Sequence, residues 1–223
     1  ANNVLFVVAT LAGCASNPFT AIKQAVVPAP ASTTASAPAK PLLGTSALNV
    51  AEAPVPEAAQ REFQRGLQAQ RAGRAEEAQR IWEALAKTNP HLGGAQANLG
   101  LLHRAAGRHP ASVAALEKAV AASPTQARFW NELGVSYRHA GQFSKAQAAY
   151  ERALAADANL AAAVLNLGIL HDLYLNDPAK ALLLYERYLT LTPSSADAAN
   201  VTKWVADVKK RAGAPATANA VKK

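Results

Sequence analysis

One cysteine, Cys14, serves 223 residues, so no disulfide within the chain can stand in for a core. The sequence also lacks H-E-x-x-H, C-x-x-C and a phosphate-cradling glycine loop after a strand, which sets aside the common zinc, redox and nucleotide sites. Five histidines are present, but His171-Asp172 is an isolated pair, without the further carboxylate or histidine cluster that a metal site needs. Aromatics make up only 6% of the chain and are not interleaved with its scattered basic residues, so the stacking platform of a nucleic-acid binder is missing. The expectation is therefore a protein with no catalytic residue, no metal, no small-molecule substrate and no cofactor beyond a covalent anchor discussed below.

What is present is unevenly spread. Half the residues are apolar, many of them alanine, which buries little area but favours helix and permits close packing. A formal charge of +8 calls for an anionic neighbour, and charge alone leaves a membrane surface, an acidic protein and nucleic acid all open. From Ala15 to about Glu57 the chain is rich in Pro, Ala, Ser and Thr, with no helical or strand period. Such a stretch cannot offset its ordering entropy by burial and is expected to be a disordered linker. A second reading has Leu42 to Val50 docking on a partner or on the folded part.

After about Ala58 a period appears. Gly66, Gly100, Gly134 and Gly168 stand 34 residues apart; Gly73, Gly107 and Gly141 repeat that interval, as do Pro90 and Pro124. The fourth copy is one residue longer, read as a wider turn around Asn176-Asp177-Pro178. Within the third copy, Trp130, Leu133, Gly134, Tyr137, Gly141, Ala146, Tyr150 and Ala153 are spaced as in the tetratricopeptide repeat, and residues 59 to 195 resemble that family. The second copy departs furthest, with Gln96 at the Trp position and Ser112 and Leu116 replacing a small and an aromatic residue.

The resemblance implies an all-α solenoid of four helix pairs, over 59–92, 93–126, 127–160 and 161–195, each unable to bury its apolar face alone. Residues 196–212 form a capping helix, with Ala198, Val201, Val205 and Val208 on one side, and 213–223 a disordered basic tail. His103 and His171 hold the Tyr position of their repeats, so packing roles are expected for both. The family also implies a concave groove lined by the first helix of each pair. Carried onto this sequence, its partner-facing residues are Phe63, Leu67, Leu101, Arg104, Arg128, Asn131, Val135, Arg138, Leu165 and Ile169: apolar anchors with cations among them. Ala97 and Leu165 occupy positions where a clamp for a C-terminal carboxylate wants polar residues, so that ligand is not expected.

The N-terminus carries an address. Val4 to Ala12 is an uncharged apolar run, too short to span a bilayer, that ends in Leu11-Ala12-Gly13-Cys14. It resembles the lipobox of bacterial lipoproteins, which implies a signal peptide over 1–13, cleavage before Cys14, a diacylglycerol anchor on Cys14 and a flexible linker over 14–58. No basic residue precedes the run, and the start is read as truncated. With no Asp after the cysteine, the resemblance implies an outer-membrane lipoprotein facing the periplasm. The bland alternative is a buried apolar segment with a chance cysteine. The expected function is a protein-binding scaffold of the cell envelope. Its architecture is similar to lipoproteins that assist pilus or secretin assembly, so the partner is another envelope protein. The alternative is an accessory of peptidoglycan synthesis or outer-membrane biogenesis.

Overall fold

A computed structural model describes residues 55–213. The expected signal peptide, Cys14, nearly all of the linker, and the tail beyond Gly213 lie outside the described residues. Among the described residues the chain is nine α-helices and no strand: α1 Glu57–Arg71, α2 Ala75–Thr88, α3 Gly93–Ala105, α4 His109–Ala122, α5 Ala127–His139, α6 Phe143–Ala156, α7 Ala161–Leu173, α8 Pro178–Leu191 and α9 Ala198–Gly213. They form four antiparallel pairs and a final helix, with each element packed chiefly on its neighbours in sequence, as in a solenoid. The first helix starts at Glu57, two residues before the repeat was expected to begin.

The two glycine series have different physical causes. In the middle of α5, a Cβ on Gly134 would meet Tyr150 Cε1 at 2.5 Å, because the ring of the second helix lies flat over the backbone of the first. Trp82, Leu116 and Tyr185 cover the equivalent glycines in the other pairs. At Gly141 nothing lies near, but φ is +73°, the left-handed region in which a Cβ is strained. Its N–H donates to the carbonyl of Arg138, and Gln142 N–H donates to that of Tyr137, the paired bonds that close a helix C-terminus and turn the chain back.

The longer fourth copy solves the same problem without glycine. Asn176 takes the positive φ, at 50°, and Asp177 caps α8 by accepting from Lys180 N–H at 3.1 Å.

Large side chains from the second helices plug the seams. Trp82, Tyr150, Tyr185 and Tyr188 are fully buried, and three apolar clusters follow one another along the array. α9 completes the third of them. Its Val201 and Val208 are buried and Trp204 meets the ring of Tyr185 at 5.6 Å between centroids, while Lys203, Lys209 and Lys210 face outward. No helix among the described residues is long and apolar enough to cross a membrane.

Candidate functional site

The first helices α3, α5 and α7 touch one another in series, whereas the second helices approach each other less. The array therefore curves with the first helices inside, and their shared face is the concave one. Its apolar residues are less available than the sequence reading held. Leu67, Leu101, Val135, Leu165 and Ile169 are only 1–8% exposed. Gly and Ala on neighbouring helices let the backbones close up, so these side chains fill seams between repeats and do not stand free as anchors. Phe63 is half-buried and packs edge-on against Trp82, 4.9 Å between centroids. Arg128 is exposed at the start of α5.

What the concave side offers is polar. Arg104 donates to Glu132 Oε2 at 2.5 Å, to the Glu132 carbonyl at 3.1 Å and to Ser136 Oγ at 3.2 Å. Ser136 Oγ shares a 2.8 Å bond with Ser112 Oγ, which reaches the Gly100 carbonyl at 2.7 Å. Glu132 Oε1 accepts from Asn131 Nδ2 at 3.3 Å, and Asn131 Oδ1 accepts from Asn166 Nδ2 at 3.0 Å. A continuous hydrogen-bonded line thus runs from the second repeat into the fourth, its inner groups paired as buried polar groups require, while Arg104 and Asn166 are only half-buried.

Four residues after each packing glycine comes a second row, Gln70, Arg104, Arg138 and Asp172. Arg104 has its carboxylate. Asp172 accepts from Tyr185 Oη at 3.1 Å and from Arg211 Nη2 of α9 at 2.7 Å, and burial together with the Asp172 charge lifts the Tyr185 phenol well above its ordinary range. Arg138 is different. It is 5% exposed, and among the described residues no carboxylate lies within ion-pair distance of it. Its guanidinium carbon sits 5.8 Å from the centroid of the Tyr174 ring and its Nε is buried without a partner. Tyr150 Oη, close enough to sense the Arg138 charge, makes no well-formed hydrogen bond; burial first pushes its pKa up to about 12.

Two of the histidines meet. His139 stacks on His109 at 5.3 Å between centroids, and its pKa is pushed down to about 4, by burial first and then by Arg138, Arg104 and His109. His171 is buried in the fourth repeat, while His103 is half-buried and accepts from Arg108 Nε at 3.1 Å. Among the described residues no group of three or more His, Cys, Asp or Glu could hold a metal ion.

Arg104, Asn131 and Arg138 lie on first helices, as the sequence reading has them, and that reading does not name as groove residues Glu132, Ser136, Asn166, Tyr150 and Tyr174, which surround them. A charge at position 132, among the mainly apolar packing residues of α5, was the available signal.

The tetratricopeptide repeat family matches residues 63–127 and again 127–160. No curated protein matches the chain. Of solved structures, PilF of Pseudomonas aeruginosa is 22% identical with a TM-score of 0.62, over 70% of this chain and 70% of that one. MamA of Desulfovibrio magneticus RS-1 is 22% identical with a TM-score of 0.55, over 62% and 77%. The first such domain of Spaghetti (RPAP3), bound to the HSP90 peptide SRMEEVD, is 17% identical with a TM-score of 0.51, over 55% and 94%. Identities this low speak for the fold alone. With its packing glycines, turn glycines and concave row in register, the stretch from 63 to 160 belongs to the tetratricopeptide repeat family, whose members are protein-interaction scaffolds.

Proposed function

We propose that this chain is a scaffold of the bacterial cell envelope, held to the periplasmic face of the outer membrane by an acyl anchor on Cys14, with a partner protein's segment lying along its concave face. The observation that carries the binding part is the line Arg104, Glu132, Asn131 and Asn166. It sets donors and acceptors of three repeats in fixed positions before any ligand arrives, which lowers the ordering cost of binding. A solved domain of the same fold that holds a peptide supports a peptide-like occupant. The anchor rests on Leu11-Ala12-Gly13-Cys14. Assistance to pilus or secretin assembly is the narrower form of the proposal and rests on the combination of lipobox and repeats.

Photocrosslinkers at Ala162 and Asn166, which are half-buried in α7, and at Ala148, which is exposed on α6, test the groove in intact cells. Adducts with an envelope protein from the α7 positions support it; adducts from Ala148 alone move the interface to the convex side. Cys14→Ser followed by fractionation tests the anchor, and unchanged membrane attachment would remove it. Normal secretin multimers and surface pili in a deletion strain would count against the narrower form.

A further inference from the structure

Three of the four members of the concave row are accounted for within the chain or are uncharged. Gln70 is neutral, Arg104 pairs with Glu132, and Asp172 pairs with Arg211. Among the described residues Arg138 alone in this row brings a buried charge to the middle of the array with no carboxylate at ion-pair distance. A cation withdrawn from water in this way destabilises a folded chain unless something else requires it, and such local violations collect at functional sites.

The surroundings say what is missing. One wall is the Tyr174 ring, 5.8 Å from the guanidinium carbon. Beside it lie the buried Tyr150 hydroxyl and the buried Arg138 Nε; the hydroxyl is close enough to the guanidinium for a hydrogen-bond contact with it, but neither atom makes a well-formed bond. Glu132, an acid on the same helix, is held at both oxygens, by Arg104 and by Asn131. The next repeat shows the satisfied arrangement with the charges reversed: there the row residue is a carboxylate, Asp172, held by the Tyr185 hydroxyl and a guanidinium, Arg211.

We infer that Arg138, with the Tyr150 hydroxyl and the Tyr174 ring, is the seat for one carboxylate of the bound partner. The inference rests on the groove reading above and names the chemistry that the groove selects. The carboxylate accepts from the guanidinium and the phenol, as Asp172 does from Arg211 and Tyr185. The occupant has no second acid seated one repeat further on, because Asp172 repels it and already holds Arg211.

The test uses the full chain, labelled with 15N. The Arg138 Nε–H resonance is assigned by its disappearance in Arg138→Lys and followed during titration with sodium acetate, with acetamide as the uncharged control at matched ionic strength. Acetate is expected to shift it saturably and acetamide to leave it in place. If both shift it alike, or neither does, the seat is wrong, whatever the crosslinks at α7 report. If the crosslinks fail while acetate still binds, the groove reading fails and the seat survives. Two tripeptides, one with a central Glu and capped ends, the other with a central Gln and a free C-terminus, show whether a side chain or a chain end supplies the carboxylate. Either result supports the seat. In Tyr150→Phe the acetate affinity is expected to fall several-fold, and an unchanged affinity removes Tyr150 from the seat. Finally, Arg138→Met keeps the packing of the stem and discards the charge, so the melting temperature of the free protein should rise by about 2–4 °C. A lower melting temperature, or failure to fold, would mean that Arg138 serves the structure and would overturn the inference.

Discussion

Arg211 Nη2 donates to Asp172 Oδ1 across 2.7 Å, so the last turn of α9 is tied to the inner helix of the fourth repeat. Asp172 is largely buried and keeps only Tyr185 if this bond is lost. Arg211→Ala should therefore lower stability by about 1 kcal/mol, a modest figure because the guanidinium end is half-exposed. The loss should shrink at high salt. Urea titrations at two ionic strengths check both points, and a salt-independent loss would point to packing of the Arg211 stem.

Gly134 and Gly141 lie in the same repeat and should respond differently to alanine. Gly134→Ala pushes a methyl into the Tyr150 ring and should cost about 1–3 kcal/mol. Much of that should return in the Tyr150→Val background, where a double-mutant cycle reads the relief. Gly141→Ala meets no atom and should cost about 1–2 kcal/mol through its left-handed backbone alone. No change at Tyr150 should rescue it, and Gly141→Asn should be milder.

Arg104 and Glu132 form the array's buried ion pair, with the Arg104 and Glu132 side chains 12% and 8% exposed. Arg104→Ala strands the carboxylate and should destabilise by about 3–5 kcal/mol. Arg104→Met combined with Glu132→Leu should recover most of it. Arg128→Glu, on an exposed side chain, should change stability by less than about 0.5 kcal/mol. Chemical denaturation of the three variants distinguishes a buried pair from a solvated face.

His139 gives the array an acid sensitivity whose sign follows from its surroundings. Burial, Arg138, Arg104 and His109 lower its pKa from 6.5 to about 4, so the folded state refuses a proton that the unfolded chain accepts. Between pH 6.5 and about 4 the unfolded state binds more protons, and stability falls as pH falls. Below about 4 this contribution stops growing. His139 is partly exposed, which reduces the effect to the order of 1 kcal/mol. The pH dependence of the melting temperature should flatten over this window in His139→Gln; an unchanged slope would assign the sensitivity to other groups.

Much of the fold was legible because its causes are local and repeat. Gly66, Gly100, Gly134 and Gly168 mark where backbones meet large side chains, and Gly73, Gly107 and Gly141 mark where helices stop. Both requirements recur at the interval of the helix pair, so spacing alone reveals them. The fourth turn was legible too, since Asn176 and Asp177 are residue types that tolerate a positive φ and cap a helix. The groove was legible only by position. A family register assigns Leu165 or Val135 to a concave face, but whether such a residue is open depends on how closely adjacent repeats approach. Here the small residues of α3, α5 and α7 bring the helices together and bury them.

The sequence by itself determined the helical class, the period, the turn chemistry and the candidate address at Cys14, because these depend on residues near one another along the chain or on one interval repeated. Only the tertiary structure decided which charges are matched. Glu132 finds Arg104 one repeat away, Arg211 crosses from the final helix to Asp172, and Arg138 receives no carboxylate from the described residues. Pairing across repeats depends on the rotation of one helix pair against the next, and no spacing of residues in the chain encodes that angle.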